Sequence, residues 1–531
     1  MLKFTVIKKL IFLTIVCFVL FPAGASADGL GEKRSFYIDS SYDLKGRDHI
    51  AAVLLKISPK AYFYADEDWW SLAPQNEIYA ALGSLSDQFN NAIYPVLTSA
   101  FGSEWNPGID KDSRITILIH PMIDGSGGYF RSNDEYYKVQ VPGSNEREMV
   151  YLNSANLRDI NAKSFLAHEF IHLITFNQKN KTYGIEEETW LNEMRAEYAP
   201  TILGYDDFIE GSYLQRRMQA FSGEPFNSLT EWADNEFDYG VVNLFGQYLV
   251  GNCGAQILID SLHSQKIGIE SLDYELAKIG KTFDQVFIDW TIASFINDCS
   301  AGKNYCYSNN NLKNFHIYPR INFLPLSGQS ALSVTETTKD WAGNWFKIIG
   351  GKKNIKVSFV SNSGVEFKIP YILQKSDGSY AVKFLNLDKS WRGEFSVSDF
   401  GVTSNALIII PSTKNKIAGF NSKEPSYSFT FTISAFAATP PETSISFSFL
   451  KNLLLGMRDQ DVIHLKMILA QEGCVSGLAN TNYFGPLTLA GVKCFQNKYK
   501  SQISQAAGYI ISGTGFVGPG TRSRLNMMLP G

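Results

Sequence analysis

The sequence predicts a multidomain protein: an α+β domain, an all-β sandwich domain and a small all-α domain at its C-terminal end. Three observations lead there. From about residue 36 to 300, strand-like apolar runs mix with long helix-compatible ones such as 76–101 and 283–297. From 317 to 436, short β-branched and aromatic runs recur between Gly, Asn, Ser and Lys turns. Beyond a Pro-containing stretch at 437–447, amphipathic helical patterns take over.

Residues 1–27 carry the parts of a secretory signal. Lys3, Lys8 and Lys9 precede the apolar run Leu10 to Phe21, and Ala25-Ser26-Ala27 supplies a cleavage site before Asp28. The apolar run is short for a membrane span, with an uncleaved anchor as the other reading. Cys17 lies inside the run rather than after the cleavage site, which argues against a lipoprotein. No other segment approaches about 18 consecutive apolar residues, so no membrane span is expected after signal cleavage. A secreted, extracellular or cell-wall location follows. Loss of the three lysines takes the formal charge from −4 to −7, and no basic stripe stands out, so no nucleic-acid partner is expected.

The chemistry of the 28–305 domain is concentrated in His168-Glu169-Phe170-Ile171-His172. Phe165, Leu166, Ile171 and Ile174 give this Gly- and Pro-free stretch a helical spacing, and residues four apart on a helix share one face. Two imidazoles can then grip one Zn2+ from the same side, with Glu169 beside the open position as general base. Thr175 and Gln178 stand where a metzincin carries Gly and His, which excludes that branch. A second helix-compatible run, Thr189 to Ala199, offers Glu193 as third ligand, and His-His-Glu is a catalytic zinc set. Glu197 lies one turn further on, where a carboxylate can accept the remaining ring N–H of His168. Glu186, Glu187 and Glu188 read as a solvated helix face. His120, His263, His316 and His464 have no metal-like spacing and stay unassigned.

HEFIH followed by WLNEMRAEYA resembles the gluzincins, and more narrowly the hyicolysin-like secreted metallopeptidases of the peptidase MA type. Trp105-Asn106-Pro107-Gly108-Ile109-Asp110, Ile115 to Ile119, Gly127-Gly128-Tyr129-Phe130 and Tyr239-Gly240 resemble the same group, over roughly 75 to 295. The resemblance implies a zincin-type fold, a third ligand from the Asn192-Glu193 pair and a supporting acid at Glu197. It also makes Tyr239 the candidate hydrogen-bond donor to the oxyanion; an aromatic packing role is the alternative.

Five cysteines follow the signal. Cys299 with Cys306 and Cys474 with Cys494 are the expected bridges, leaving Cys253 free; a Cys253 to Cys299 bridge is the rival. No site residue stands out in the β-sandwich domain, 306–436. In the last domain, 448–531, Leu455-Gly456 to Asp461-Val462, Tyr483-Phe484-Gly485-Pro486 and Gly518-Pro519-Gly520-Thr521 resemble the peptidoglycan-binding type 1 domain. That implies a three-helix fold with Thr488 and Thr521 at capping positions, and peptidoglycan as a partner. Lys466 replaces the family's usual Gln.

Together these readings predict a secreted zinc endopeptidase acting on protein or peptide substrates and retained at the envelope by its C-terminal module. A wall-lytic peptidase cutting stem peptides, and a catalytically inactive wall-associated binding protein, are the alternatives.

Overall fold

Strands Lys33–Tyr37 (β1), His49–Ile57 (β2), Ala61–Asp66 (β3), Ile115–His120 (β4), Gly128–Phe130 (β5) and Met149–Asn153 (β6) form one sheet. This computed structural model describes residues 28–325, 330–351, 353–420, 423–436, 447–475 and 481–528; the expected signal and nearly all of the expected linker 437–447 lie outside the described residues. The strand order is β1-β2-β3-β4-β6-β5, with β3, β4 and β6 parallel and β5 antiparallel at the end. Phe63, Ile117 and Val150 point into a helical core, while Tyr62, Tyr64, Leu118 and Tyr151 point into a second cluster with Phe36 and Ile50. Both faces are therefore covered, and β3, β4 and β6 are buried at every position.

Helices Glu67–Leu72 (α1), Gln75–Gln88 (α2) and Tyr94–Phe101 (α3) follow β3. The run expected as one helix over 76–101 is split by a π-helical turn, Phe89–Ile93. Pro95 explains the break, because it has no N–H to donate to the preceding turn and it begins α3 instead. Ala162–Thr175 (α4), Thr189–Ile202 (α5), Tyr213–Gly223 (α6) and Glu236–Cys253 (α7) then pack in sequence-adjacent pairs, with α5 also against α7. α4 lies between the β5–β6 edge and α5, so every residue from Leu166 to Thr175 is buried. Gln256–Leu262 (α8), Gly268–Ala277 (α9) and Phe283–Ile296 (α10) complete this part.

The expected boundary at 305/306 falls within a linked segment. A disulfide joins Cys299 to Cys306, and Tyr307, Leu312, Phe315 and Ile317 still pack in the helical core. Ten strands between Arg320 and Phe436 follow. They fold over as two layers: Phe346 of Phe346–Gly350 touches Phe429 and Phe431 of Tyr427–Phe436, although these two strands are not hydrogen-bonded to each other. The other face of one layer joins the helical core through Ile372, Ile408 and Trp345, whose Nε1 donates to the Thr291 carbonyl at 2.8 Å.

The C-terminal unit holds Asp461–Gln471, Pro486–Lys498, Lys500–Ala507 and Pro519–Met527 around Leu465, Leu469, Phe484, Val492, Phe495 and Leu525. It has four helical segments among the described residues where three were expected, because Tyr499 leaves helical torsion angles. The helix caps also differ from expectation. Gly485 and Gly518 occupy the N-cap positions ahead of a proline, so Thr488 and Thr521 fall inside the first turn. Thr521 accepts a hydrogen bond from Gln496 at 3.0 Å instead. Lys466 is buried and donates to the Thr481 carbonyl at 2.9 Å. The second disulfide is Cys474–Cys494, and Cys253 is free, so the rival Cys253–Cys299 bridge is not formed.

Candidate metal centre

His168 and His172, one turn apart on α4, turn their Nε2 atoms towards each other at 3.1 Å. Glu193 enters from α5, with Oε2 3.2 Å from His168 Nε2 and Oε1 3.5 Å from His172 Nε2. One ligand atom from each residue lies within 4.8 Å of the others. Tetrahedral bonds of about 2.0–2.1 Å to a zinc ion place neighbouring ligand atoms about 3.3 Å apart, close to the observed spacing. Two nitrogens and a carboxylate are also a donor set that zinc accepts, so the residues fit the ion.

Electrostatics favour a cation here. Burial works against a charged Glu193, but His172 and His168 outweigh it and hold the carboxyl well below the usual range. Burial likewise opposes protonation of His172, yet Glu193, then Glu169 and Asn192, raise the ring to about 9. Asn192, expected to support the ligand shell, is the smallest of these influences. Its Oδ1 and His172 Nδ1 are both buried without a partner in good hydrogen-bonding geometry.

Behind the ligands the support is dense. His168 Nδ1 lies 3.5 Å from Glu197 Oε1, the pairing expected from the sequence, and 3.4 Å from the Tyr213 hydroxyl. Glu197 is fully buried and accepts from Tyr213 at 2.7 Å, from Arg217 through both oxygens at 2.8 Å, and from Asn243 at 3.1 Å. Tyr213, Arg217 and Asn243 are not apparent in the sequence: an arginine and a tyrosine four apart on α6 look like an ordinary helix face until α6 is packed on α7. Glu187 and Glu188 are not the solvated face expected of them. They precede α5, where Glu187 pairs with the buried Arg195 at 2.7 Å and Glu188 accepts from the Trp190 indole at 2.7 Å.

Glu169 lies on the sheet side of the ligands. Burial pushes its acid up against the opposing pull of His168 and His172. No side chain among the described residues hydrogen-bonds its carboxylate, which leaves it open to a water. β5 closes over it, and a side chain at Gly128 would come 2.5 Å from the Tyr151 carbonyl and 2.9 Å from Glu169 Cγ. Glycine is required there for the end strand to lie this close to α4.

Tyr239 sits in the first turn of α7, its ring centroid 6.4 Å from that of His168 and its face under Arg217. Its hydroxyl donates to Asp234 at 3.2 Å, and burial followed by Glu193 and Asp234 raises the phenol far above its ordinary value. Tyr42, which the sequence reading missed, is a second phenol at the site. It stacks on Tyr129 at 4.7 Å, and burial followed by Asp234, Glu169 and Glu193 raises it to about 12.

A helix pair converges two imidazoles and a carboxylate into a group that could hold a metal ion, with Glu169 beside it. Over 189 residues the chain is 29% identical to the neutral metalloprotease ShpI of Staphylococcus hyicus, a match covering 31% of this chain and 41% of that protein. The chain thus spans under half of that relative's length. No family model matches. Among solved structures, the pre-peptidase C-terminal domain of collagenase from Bacillus anthracis is 10% identical over 22% of this chain and 96% of its own, with a TM-score of 0.15. The periplasmic g-type lysozyme inhibitor PliG of Aeromonas hydrophila is 9% identical over 22% and 98%, with a TM-score of 0.16. Such scores carry no inference. No helix among the described residues is long and apolar enough to cross a membrane.

Proposed function

We propose that the chain is an exported zinc endopeptidase of the gluzincin type that hydrolyses peptide bonds in proteins and is retained at the cell envelope. The supporting observation is Glu169, which no side chain among the described residues hydrogen-bonds, beside the converging ligand atoms of His168, His172 and Glu193. The similarity to ShpI agrees with it. When bound, zinc would acidify a water and polarise the scissile carbonyl. Glu169 takes the proton of the attacking water and returns it to the leaving amine. Glu197, clamped by Arg217, holds the His168 ring in one tautomer and orientation. Tyr239 donates to the developing oxyanion, with Tyr42 as a further phenol at the same carboxylates. The end strand β5 offers a main-chain edge beside Glu169 on which an extended peptide can pair.

Export is supported by the signal-like residues 1–27 and by two disulfides. Envelope retention rests on the C-terminal unit's resemblance to peptidoglycan-binding modules. The test compares wild type with Glu169→Gln on casein and on purified sacculi, with zinc content measured for both. The variant should retain zinc and lose at least about 10³-fold in caseinolysis. Undiminished caseinolysis would refute the assignment, and release from sacculi without caseinolysis would shift the substrate to wall stem peptides.

A further inference from the structure

Glu135 and Glu148 are enclosed carboxylates that the metal centre does not use. Glu135 ends a 3-10 turn, Ser132–Glu135, is 0% exposed, and neither of its carboxylate oxygens meets a hydrogen-bond donor. Glu148 immediately precedes β6 and is 3% exposed. Its Oε1 accepts the Ile109 N–H at 2.7 Å, while Oε2 has no partner. The loop from Trp105 to Asp112 closes over it so tightly that a Cβ on Gly108, which has φ +81°, would overlap the carboxylate.

The surrounding charge is one-sided. Burial, then Glu148, Asp134 and Asp110, push the Glu135 acid well up, and Lys181 is the cation that opposes them. Burial and Asp110 push Glu148 up as well. Asp134 is already matched by Arg131 at 3.1 Å and by the Tyr151 hydroxyl at 2.5 Å. Lys181 gives one hydrogen bond to the Glu135 main-chain carbonyl at 2.9 Å and lies over the Trp105 ring at 3.7 Å. Lys181 thus faces Glu135 and Glu148, while the cation acting on Asp110 is Arg147, which is itself paired with Asp28. Buried carboxylate oxygens without donors are rare in folded proteins, and an ion is among the ordinary reasons for them.

We propose that Glu135 and Glu148 hold a hard divalent cation of the calcium type, at a structural site separate from the zinc centre. The donors are carboxylate oxygens, with no imidazole or thiol among the groups acting on them, which suits calcium rather than zinc. Calcium also accepts irregular shells completed by main-chain carbonyls and waters, whereas magnesium demands a near-ideal octahedron. The ion would tie the Trp105–Asp112 loop, the 132–135 turn and the start of β6 together. Lys181, at the end of the π-helical segment Phe176–Lys181 that continues α4, links that cluster to the helix carrying the zinc ligands.

The test uses the full zinc-loaded chain in chelator-treated buffer. Terbium alone serves as the probe, because Trp105 lies close enough to sensitise its luminescence. We expect one terbium per chain, displaced by millimolar calcium, and a rise in Tm of at least about 3 °C with calcium. Glu135→Gln and Glu148→Gln should each abolish both effects without changing zinc content; if one fails to fold, the other carries the test. A Tm that calcium does not move, terbium that calcium does not displace, or a calcium effect surviving in the variants overturns the proposal. So does a Glu135→Gln protein more stable than a calcium-insensitive wild type, which would make the pair two acids sharing a proton. Casein hydrolysis and zinc content are read separately, so failure here leaves the peptidase reading standing, and the reverse.

Discussion

The zinc-type centre and the Glu135–Glu148 pair are both acidic and both buried, yet their charges are met in opposite ways. At the first, Glu197 behind the ligands is answered by Arg217, Tyr213 and Asn243, and Glu193 lies against two imidazoles although its Oε2 makes no hydrogen bond among the described residues. At the second, among the described residues no donor reaches the Glu135 carboxylate, and Glu148 accepts from one neighbouring backbone N–H. Burial alone therefore does not distinguish a positioning group from an open ligand. The number of fixed donors does, because an ionised carboxylate held in a low-dielectric interior needs a compensating charge from somewhere.

That contrast predicts turnover effects at one centre and stability effects at the other. After that of Glu169→Gln, the largest should come from Tyr239→Phe, which leaves the fold and the ligands intact. If its hydroxyl stabilises the oxyanion, kcat should fall about 10²–10³-fold with KM little changed and Tm unmoved. Tyr42→Phe should cost less than about tenfold in the same assay, and the reverse ranking would transfer the role to Tyr42. Next comes Glu197→Gln, which weakens the hold on His168 and leaves the half-buried Arg217 beside a neutral amide. Zinc affinity, measured by competition with a chelating dye, should drop about 10–100-fold, and Tm should fall with it. Unchanged zinc affinity would reduce Glu197 to a packing role.

The smallest effect is a pH slope at the second centre. Glu148 is pushed from an ordinary 4.5 up to about 8 in the folded protein, with Glu135, Asp110 and Lys181 facing it. A raised carboxyl affinity means that the folded state binds the extra proton. Its contribution is thus complete below about pH 4.5 and lost as pH rises through about 8. Zinc-loaded, calcium-free protein should therefore lose Tm between pH 5 and 8, and Glu148→Gln should flatten that slope. Equal slopes in the two proteins would show that Glu148 does not control it.

The convergence of His168, His172 and Glu193 was legible because its geometry is local. His168 and His172 need only a helix, and Phe165, Leu166, Ile171 and Ile174 announce one; Glu193 and Glu197 repeat the device one helix later. Periodicity also located strands at Lys353–Ser361 and Tyr427–Phe436 and the helix at Phe283–Ile296. Over 76–101 it located a helical run but not the π-helical turn Phe89–Ile93 that interrupts it ahead of Pro95. It also placed Glu187 and Glu188 in solvent, because nothing in their own segment signals Arg195 or Trp190 as buried partners.

What the amino-acid order determined by itself was the pair of helices that carry His168, His172 and Glu193, since side-chain spacing along one helix is set by backbone geometry alone. Only the tertiary structure decided which distant groups answer those ligands. Tyr42 reaches the centre from a loop, Tyr213 and Arg217 from α6 and Asn243 from α7. The Trp105–Asp112 loop closes over the Glu148 carboxylate at the start of β6, within electrostatic reach of Glu135. Such encounters depend on sheet order and on which helix faces pack together, and no short stretch of sequence encodes either.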